Sequence, residues 1–182
     1  GLANVFWSGR RSPMMDPRLS FLHGGVHPPE SKKLTESVRI RRIPFPDEVV
    51  LPLRQHAGKP AKLLVREGEH VERGDKIADA DGFISAPVHA SATGTVVDIG
   101  LWPHPDGDYA TAVRIKVDPF SAQAPRPRIV PDWQGLTPAE VTHVVQQAGG
   151  VGLGGAAFPT HVKLTPPKDE EIEVLVINGC EC

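Results

Sequence analysis

Val65-Arg66-Glu67-Gly68-Glu69-His70-Val71-Glu72-Arg73-Gly74-Asp75-Lys76-Ile77-Ala78 is the stretch that decides the fold. It sets a tight turn at each glycine, so the segments between are short and extended. Further along, Ser85-Ala86-Pro87 through Ala92-Thr93-Gly94-Thr95-Val96 repeats the theme of small residues ahead of a strand. Strand-like runs are expected at Ser37–Ile43, Ala61–Val65, Gly82–Ala86, Thr93–Ile99 and Thr111–Val117, each bounded by Gly, Pro or Asp. In the first of these, Val38 and Ile40 alternate with basic partners. Short strands at this spacing predict an antiparallel sandwich or barrel over residues 35–118. Residues 1–34, with their Gly24-Gly25-Val26-His27-Pro28-Pro29 run, read as an extension and loop.

Composition points the same way. The 182 residues suffice for one large domain or two small ones, with a core that needs no staples. Eighteen glycines and 19 prolines make up about a fifth of the chain, against an average of roughly 12%. That excess favours turns and short strands over a helical bundle. Twenty basic against 22 acidic residues leave no net field to attract nucleic acid. The two cysteines, Cys180 and Cys182, form no disulfide framework and fit a reducing compartment. No apolar run is long enough to span a bilayer, so no transmembrane segment is expected. Residues 1–13 lack the uninterrupted apolar core of a signal peptide. Those ahead of Met14 and Met15 are expected to be a remnant before the native start.

Beyond residue 118 the pattern changes. Pro119, Pro125, Pro127 and Pro131 mark a stiff linker over 119–135. Thr137 can cap a helix with Pro138 in its first position and Glu140 three residues on, a capping box. Val141, Val144, Val145 and Ala148 fall on one apolar stripe, and Gly149 and Gly150 stop the helix. Then comes Gly149-Gly150-Val151-Gly152-Leu153-Gly154-Gly155-Ala156-Ala157-Phe158-Pro159. Its glycines remove the Cβ atoms that hold a backbone away from a ligand. Such a loop can turn successive N–H groups around an anion. A phosphate-bearing cofactor is therefore expected here, with Lys163 as a nearby charge; a mobile linker is the plain alternative. Pro166-Pro167 and an acidic turn lead into Glu173–Asn178, whose Val174-Leu175-Val176-Ile177 run is typical of a buried α/β strand. Residues 136–182 thus read as the truncated start of an α/β domain. The fold class is α+β, mostly β.

The β region resembles the barrel-sandwich hybrid of biotinyl and lipoyl carrier domains, which present a modified lysine on a hairpin tip. The corresponding stretch here, Asp79-Ala80-Asp81-Gly82-Phe83, has no lysine, and Lys76 lies in the preceding strand. A scaffold or docking module is expected in place of a swinging arm. Taken together, the two halves resemble the N-terminal part of the C subunit of the Rnf electron-transport complex. The likeness covers nearly everything from about Phe21 onward. It is carried by His23-Gly24-Gly25-Val26-His27-Pro28-Pro29, Leu51-Pro52-Leu53-Arg54-Gln55-His56-Ala57-Gly58 and Ser85-Ala86-Pro87-Val88-His89-Ala90. The most discriminating motifs are Gly150 through Leu164 and Val176-Ile177-Asn178-Gly179-Cys180-Glu181-Cys182. The glycine loop also looks like that of the flavin-binding subunit of respiratory complex I, which lacks the preceding sandwich.

That resemblance implies an oxidoreductase subunit on the cytoplasmic face of the bacterial inner membrane. Its family couples electron exchange between ferredoxin and NAD to ion movement, alongside the other Rnf subunits. It implies FMN, NADH and two [4Fe–4S] clusters in the full-length protein, the clusters lying in a part beyond Cys182. Gly152, Gly154, Gly155 and Ala156 would line the FMN, and Lys163 would approach its phosphate. Asn178 and Glu181 match polar positions that hold the flavin, and Phe158 matches an aromatic associated with the nicotinamide nucleotide. Leu153 stands where the complex I motif has a basic residue. Ala157 replaces a glycine common in the related motif, tolerable unless the position needs positive φ.

Plainer readings stand beside these. Lys163 is a solvated surface lysine, Phe158 a core plug, and Asn178 and Glu181 a strand end. Cys180 and Cys182 cannot complete a four-ligand metal site, and the eight histidines show no paired helical spacing, so no metal is expected. His27, His56 and His89 are expected to satisfy loop hydrogen bonds. With the second half of the flavin site missing after Cys182, the fragment alone is expected to bind FMN weakly or not at all and to be inactive. A non-catalytic docking module and a subunit of the sodium-pumping NADH:quinone reductase are the alternative functions.

Overall fold

The computed structural model describes residues 31–125, 132–153, 156–167 and 174. The chain divides into two units, Gly1–Ile43 and Pro44–Cys182. In the first, Lys32–Leu34 forms a single 3-10 turn. Ser37–Ile43, expected as a strand, is not one: no ladder is formed there, and Val38, Ile40 and Ile43 are exposed. Alternation alone does not make a strand, because the backbone N–H and C=O groups need a neighbour to receive them.

Among its described residues, the second unit carries seven strands and two α-helices: β1 (Glu48–Pro52), β2 (Lys62–Leu63), β3 (His70–Val71), β4 (Lys76–Asp79), β5 (Val88–His89), β6 (Gly94–Pro103), β7 (Tyr109–Val117), α1 (Pro138–Gln147) and α2 (Thr160–Lys163). One sheet has the order β1-β7-β6-β3 and the other β2-β4-β5, with every pairing antiparallel. The antiparallel arrangement expected from strand spacing is the one that forms. Gly68 and Gly74 both sit at turns with positive φ. Between them lies β3, only two residues long.

The buried residues of β7 supply much of the core. Ala110, Ala112, Val113, Ile115 and Val117 are buried, and the long β6–β7 hairpin pairs from Gly94–Val117 to Pro103–Tyr109, with a register shift between Val96 and Asp98. Val71, Val96, Val113 and Ile115 from one sheet meet Ile77, Ala78 and Val88 from the other in a single cluster. Burying each Val or Ile contributes about 1.5–3 kcal/mol, so this cluster is the main hold on the sandwich.

One expected strand is replaced by a loop. Gly82–Ala86 forms no ladder. The Asp81 N–H donates to Ser85 Oγ at 3.0 Å and the Ala86 N–H to His56 Nε2 at 3.0 Å. Side chains take the amides that a neighbouring strand would otherwise need, and Ser85 and Ala86 are buried.

Residues 119–125 of the proline-rich stretch lie against the sandwich. Gln123 is buried; its amide accepts from the Thr93 N–H at 2.7 Å and donates to the Thr93 carbonyl at 3.0 Å. Arg73 holds the Gln123 carbonyl at 2.8 Å. Past residue 131, α1 begins with the expected capping box: the Glu140 N–H donates to Thr137 Oγ1, and the Thr137 N–H donates to the Glu140 carboxylate. The Thr137 hydroxyl, donating to the Glu140 carboxylate at 2.7 Å, and the Thr137 N–H together hold that carboxyl below its ordinary value. Gly149 ends the helix at φ +71, with its N–H donating to the Gln146 carbonyl and the Gly150 N–H to that of Val145. This is the left-handed glycine stop with paired return bonds. The apolar stripe is less buried than its pattern predicts, for no residue of α1 is fully buried and Val144 is 38% exposed. The helix meets the sandwich through the amides of Gln146 and Gln147. Of the strand expected at Glu173–Asn178, only Val174 is described, and it is exposed; the rest lies outside the described residues.

Candidate functional site

The glycine loop is a closed loop with a fixed neck. The Thr160 N–H donates to the Gly150 carbonyl at 2.9 Å, the Gly152 N–H donates to the Phe158 carbonyl at 2.9 Å, and Val151 bridges Pro159. Those bonds bring the two ends of the loop together and set α2 directly on its exit. Lys163, the last residue of α2, then turns back over the loop. Its Nζ lies 2.7 Å from where a Cβ on Gly152 would stand. Only a residue without a side chain leaves the ammonium room at this spot. Of the expected cofactor residues, Gly152, Ala156, Phe158 and Lys163 come together around this loop. Gly154, Gly155, Asn178 and Glu181 lie outside the described residues.

The loop suits a phosphate-bearing group in one respect and not in another. An exposed ammonium faces a backbone stripped of its Cβ, which suits an anion. The Gly152 amide, however, is spent on the Phe158 carbonyl and does not turn inward as a donor. Lys163 is the charged group that stands beside Gly152. Phe158 is half-buried. Leu153 is fully exposed at the tip. Ala157 takes φ +50, the left-handed region in which a glycine would be at ease.

The loop rests on the sandwich. The Ala57 N–H donates to the Ala156 carbonyl at 3.0 Å. Beneath it, buried His56 accepts the Ala86 N–H on Nε2, so the ring proton sits on Nδ1 and donates to the Ala57 carbonyl at 3.0 Å. This is the loop-satisfying role expected of His56. A cleft of about 710 Å³ opens between Ala156–Ala157 and the sandwich residues Pro52, Gln55 and His104. Its charged wall is self-neutralising. Asp106 pairs with Arg54 at 2.5 Å and His104 at 2.7 Å. The His104 bond, together with the Asp108 N–H and the Arg54 charge, outweighs desolvation and holds the Asp106 carboxyl below its ordinary value. A smaller cavity of about 370 Å³, lined by Phe45, Val117 and Gln123, includes no residue of the loop.

Lys76 has no freedom to serve as a carrier arm. Its Nζ bonds Asp79 Oδ1 at 3.1 Å and also the Gln147 side-chain oxygen, tying β4 to the end of α1. Burial raises the Asp79 carboxyl, but the Lys76 hydrogen bond, the Ala80 N–H and the charges of Lys76 and His143 bring it below its ordinary value. No group of His, Cys, Asp and Glu among the described residues could hold a metal. No described helix is long and apolar enough to cross a membrane. Two features escaped sequence reasoning: the buried His161 and the tether from Lys76 to Gln147. Their partners lie 78 and 71 residues away in the chain, beyond any local pattern.

Two family models match the chain. The RnfC barrel sandwich hybrid domain covers residues 20–119, and the Nuo51 FMN-binding domain covers residues 145–182. Among curated proteins, the C subunit of the proton-translocating ferredoxin:NAD(+) oxidoreductase complex of Clostridium ljungdahlii is 42% identical over 164 residues, 90% of this chain and 36% of that protein. The C subunit of the Na(+)-translocating ferredoxin:NAD(+) oxidoreductase complex of Acetobacterium woodii is 37% identical over 159 residues, covering 87% of this chain and 36% of its own length. The C subunit of the ion-translocating oxidoreductase complex of Rhodobacter capsulatus is 37% identical over 173 residues, 93% of this chain and 33% of that protein. The chain spans about a third of the length of these relatives.

Proposed function

The chain belongs to the RnfC barrel-sandwich hybrid family, and from that premise we propose that it is the flavin-phosphate end of an electron-transfer subunit in an ion-translocating ferredoxin:NAD oxidoreductase. Lys163 binds the phosphate of FMN, and Gly152 provides the space in which that contact forms. When bound, FMN supplies the exchange between two-electron and one-electron transfer. This chain's residues bind and orient it: Lys163 by charge and Ala156 from the cleft wall, while Phe158 serves the nicotinamide nucleotide. Gly154, Gly155, Asn178 and Glu181 complete the site. NAD(H) and two [4Fe–4S] clusters are used by the full-length protein. It works peripherally at the cytoplasmic face of the membrane, alongside the other members of the complex and with ferredoxin as an indirect partner.

The observation that carries this reading is the Lys163 ammonium crowding the place that a Gly152 Cβ would take. The competing reading, a loop that merely makes a tight connection in a docking module, draws support from the Gly152 N–H bonding within the loop. Purifying the complete gene product and measuring acid-released flavin decides between them. About one FMN per polypeptide is expected. A flavin-free protein that takes up no FMN on titration refutes the proposal.

A further inference from the structure

We infer that His161 is a positioning residue, through which the tip of the sandwich hairpin sets Lys163 over the glycine loop. In lipoyl and biotinyl carriers the equivalent tip presents the modified lysine. Here it serves as a clamp on α2. The inference rests on the reading of Lys163 as the flavin-phosphate contact and adds how that contact is held.

α2 is four residues long, too short to hold its own geometry. Something outside it must fix where Lys163 points. His161 is 3% exposed, whereas Lys163, two positions on, is exposed and turned toward Gly152. His161 Nε2 lies 2.7 Å from the Phe83 carbonyl. A carbonyl can only accept, so Nε2 carries the proton and donates; the Gln146 side-chain amide of α1 lies 3.2 Å from the same nitrogen. The imidazole also stands edge-on to the Phe83 ring, with centroids 6.0 Å apart and an interplanar angle of 89°. Among the described residues, His161 is the α2 side chain that hydrogen-bonds the sandwich.

Its other nitrogen, Nδ1, is buried with no hydrogen-bond partner among the described residues. An aliphatic side chain would fill such a place without leaving a polar atom unpaired. An imidazole with one idle nitrogen is explained by what the other does, which is to pin α2 to Phe83, with Gln146 of α1 beside the same nitrogen. The neighbouring ties, Ala57 to Ala156 and Lys76 to Gln147, hold the loop and α1 to the same module. The sandwich is thereby part of the cofactor-binding apparatus.

The test uses the complete gene product and compares FMN with riboflavin, which lacks the phosphate. Glutamine can place its amide nitrogen near the position of His161 Nε2; asparagine is too short to reach Phe83. His161→Asn should reduce the preference for FMN over riboflavin by about ten- to a hundredfold, the range for a hydrogen bond to a charged group. Riboflavin affinity should stay unchanged, and His161→Gln should retain the wild-type preference. Lys163→Ala should lose the same preference, with no further loss in the Lys163→Ala/His161→Asn double variant. Should His161→Asn fail to fold, His161→Leu takes its place in the same comparison. An unchanged preference in His161→Asn, equal weakening of FMN and riboflavin, or additive losses in the double variant overturn the role of His161 alone. An unchanged preference in Lys163→Ala overturns the phosphate contact and the clamp with it.

Discussion

Substituting Gly152 by alanine separates cofactor binding from folding. The new Cβ would stand 2.7 Å from Lys163 Nζ and 3.7 Å from the Phe158 carbonyl oxygen. Ordinary contact begins near 3.5 Å, so the ammonium must retreat by about 0.8 Å or more. Retreat costs the fold little, because Nζ is the free end of a flexible side chain. Gly152 is not among the positive-φ residues, so alanine meets no backbone strain and gains roughly 0.4–1 kcal/mol from a less flexible unfolded chain. The two terms nearly cancel, and Tm should stay within about 4 °C of wild type. Cofactor binding should respond differently. A hydrogen bond to a charged group is worth about 1.5–3 kcal/mol, so its loss weakens FMN roughly ten- to a hundredfold. Titrating the complete gene product with FMN and following flavin fluorescence reads the affinity, and a thermal melt reads the fold. Unchanged FMN affinity in a well-folded Gly152→Ala protein would refute the reasoning.

Three further outcomes follow from the same geometry. Ala157 holds φ +50, at a cost of about 1–2 kcal/mol for an L-residue; after the added entropy of an unfolded glycine, Ala157→Gly should raise stability by roughly 0.5–1 kcal/mol in a urea titration. Gly149→Ala should cost more than about 2 kcal/mol, since φ +71 adds left-handed strain to a Cβ only 2.8 Å from the Pro87 carbonyl oxygen; hydrogen exchange should show α1 losing protection while β6 and β7 keep theirs. The Asp79 carboxyl is lowered, so its contribution is present above the ordinary aspartate value of about 3.9 and disappears as pH falls through the folded one. Melts across that range should show Asp79→Asn less stable than wild type at neutral pH and equal to it in acid.

Much of the sandwich was legible because local chemistry and global fold agree in it. Glycines that force turns at 68 and 74 left room only for short strands between them, and the runs at Thr93–Ile99 and Thr111–Val117 fall on β6 and β7. The end of α1 was equally legible, since a capping box and a glycine stop act within one helical turn. Ser37–Ile43 misled because alternation signals an amphipathic segment without saying whether a neighbour exists to pair with it. Gly82–Ala86 misled for a different reason: the Ala86 amide is taken by His56, thirty residues away, and that of Asp81, just ahead of the run, by Ser85. At the candidate site, the glycines and Lys163 were readable from spacing. The inward-turning amide expected at Gly152 was not realised, because closing the neck of the loop required that N–H. The role of Ala157 could be anticipated only conditionally, as φ is a property of the closed loop. His161 gave no local signal, since its meaning lies in a carbonyl on another module.

The most direct test of the flavin-phosphate assignment is the position of the phosphate in a structure of the complete protein loaded with FMN. The account predicts Lys163 Nζ within about 2.7–2.9 Å of a phosphate oxygen, the range for charge-assisted bonds, with Gly152 alongside. FMN bound with its phosphate on other residues, and Lys163 pointing into solvent, would contradict it.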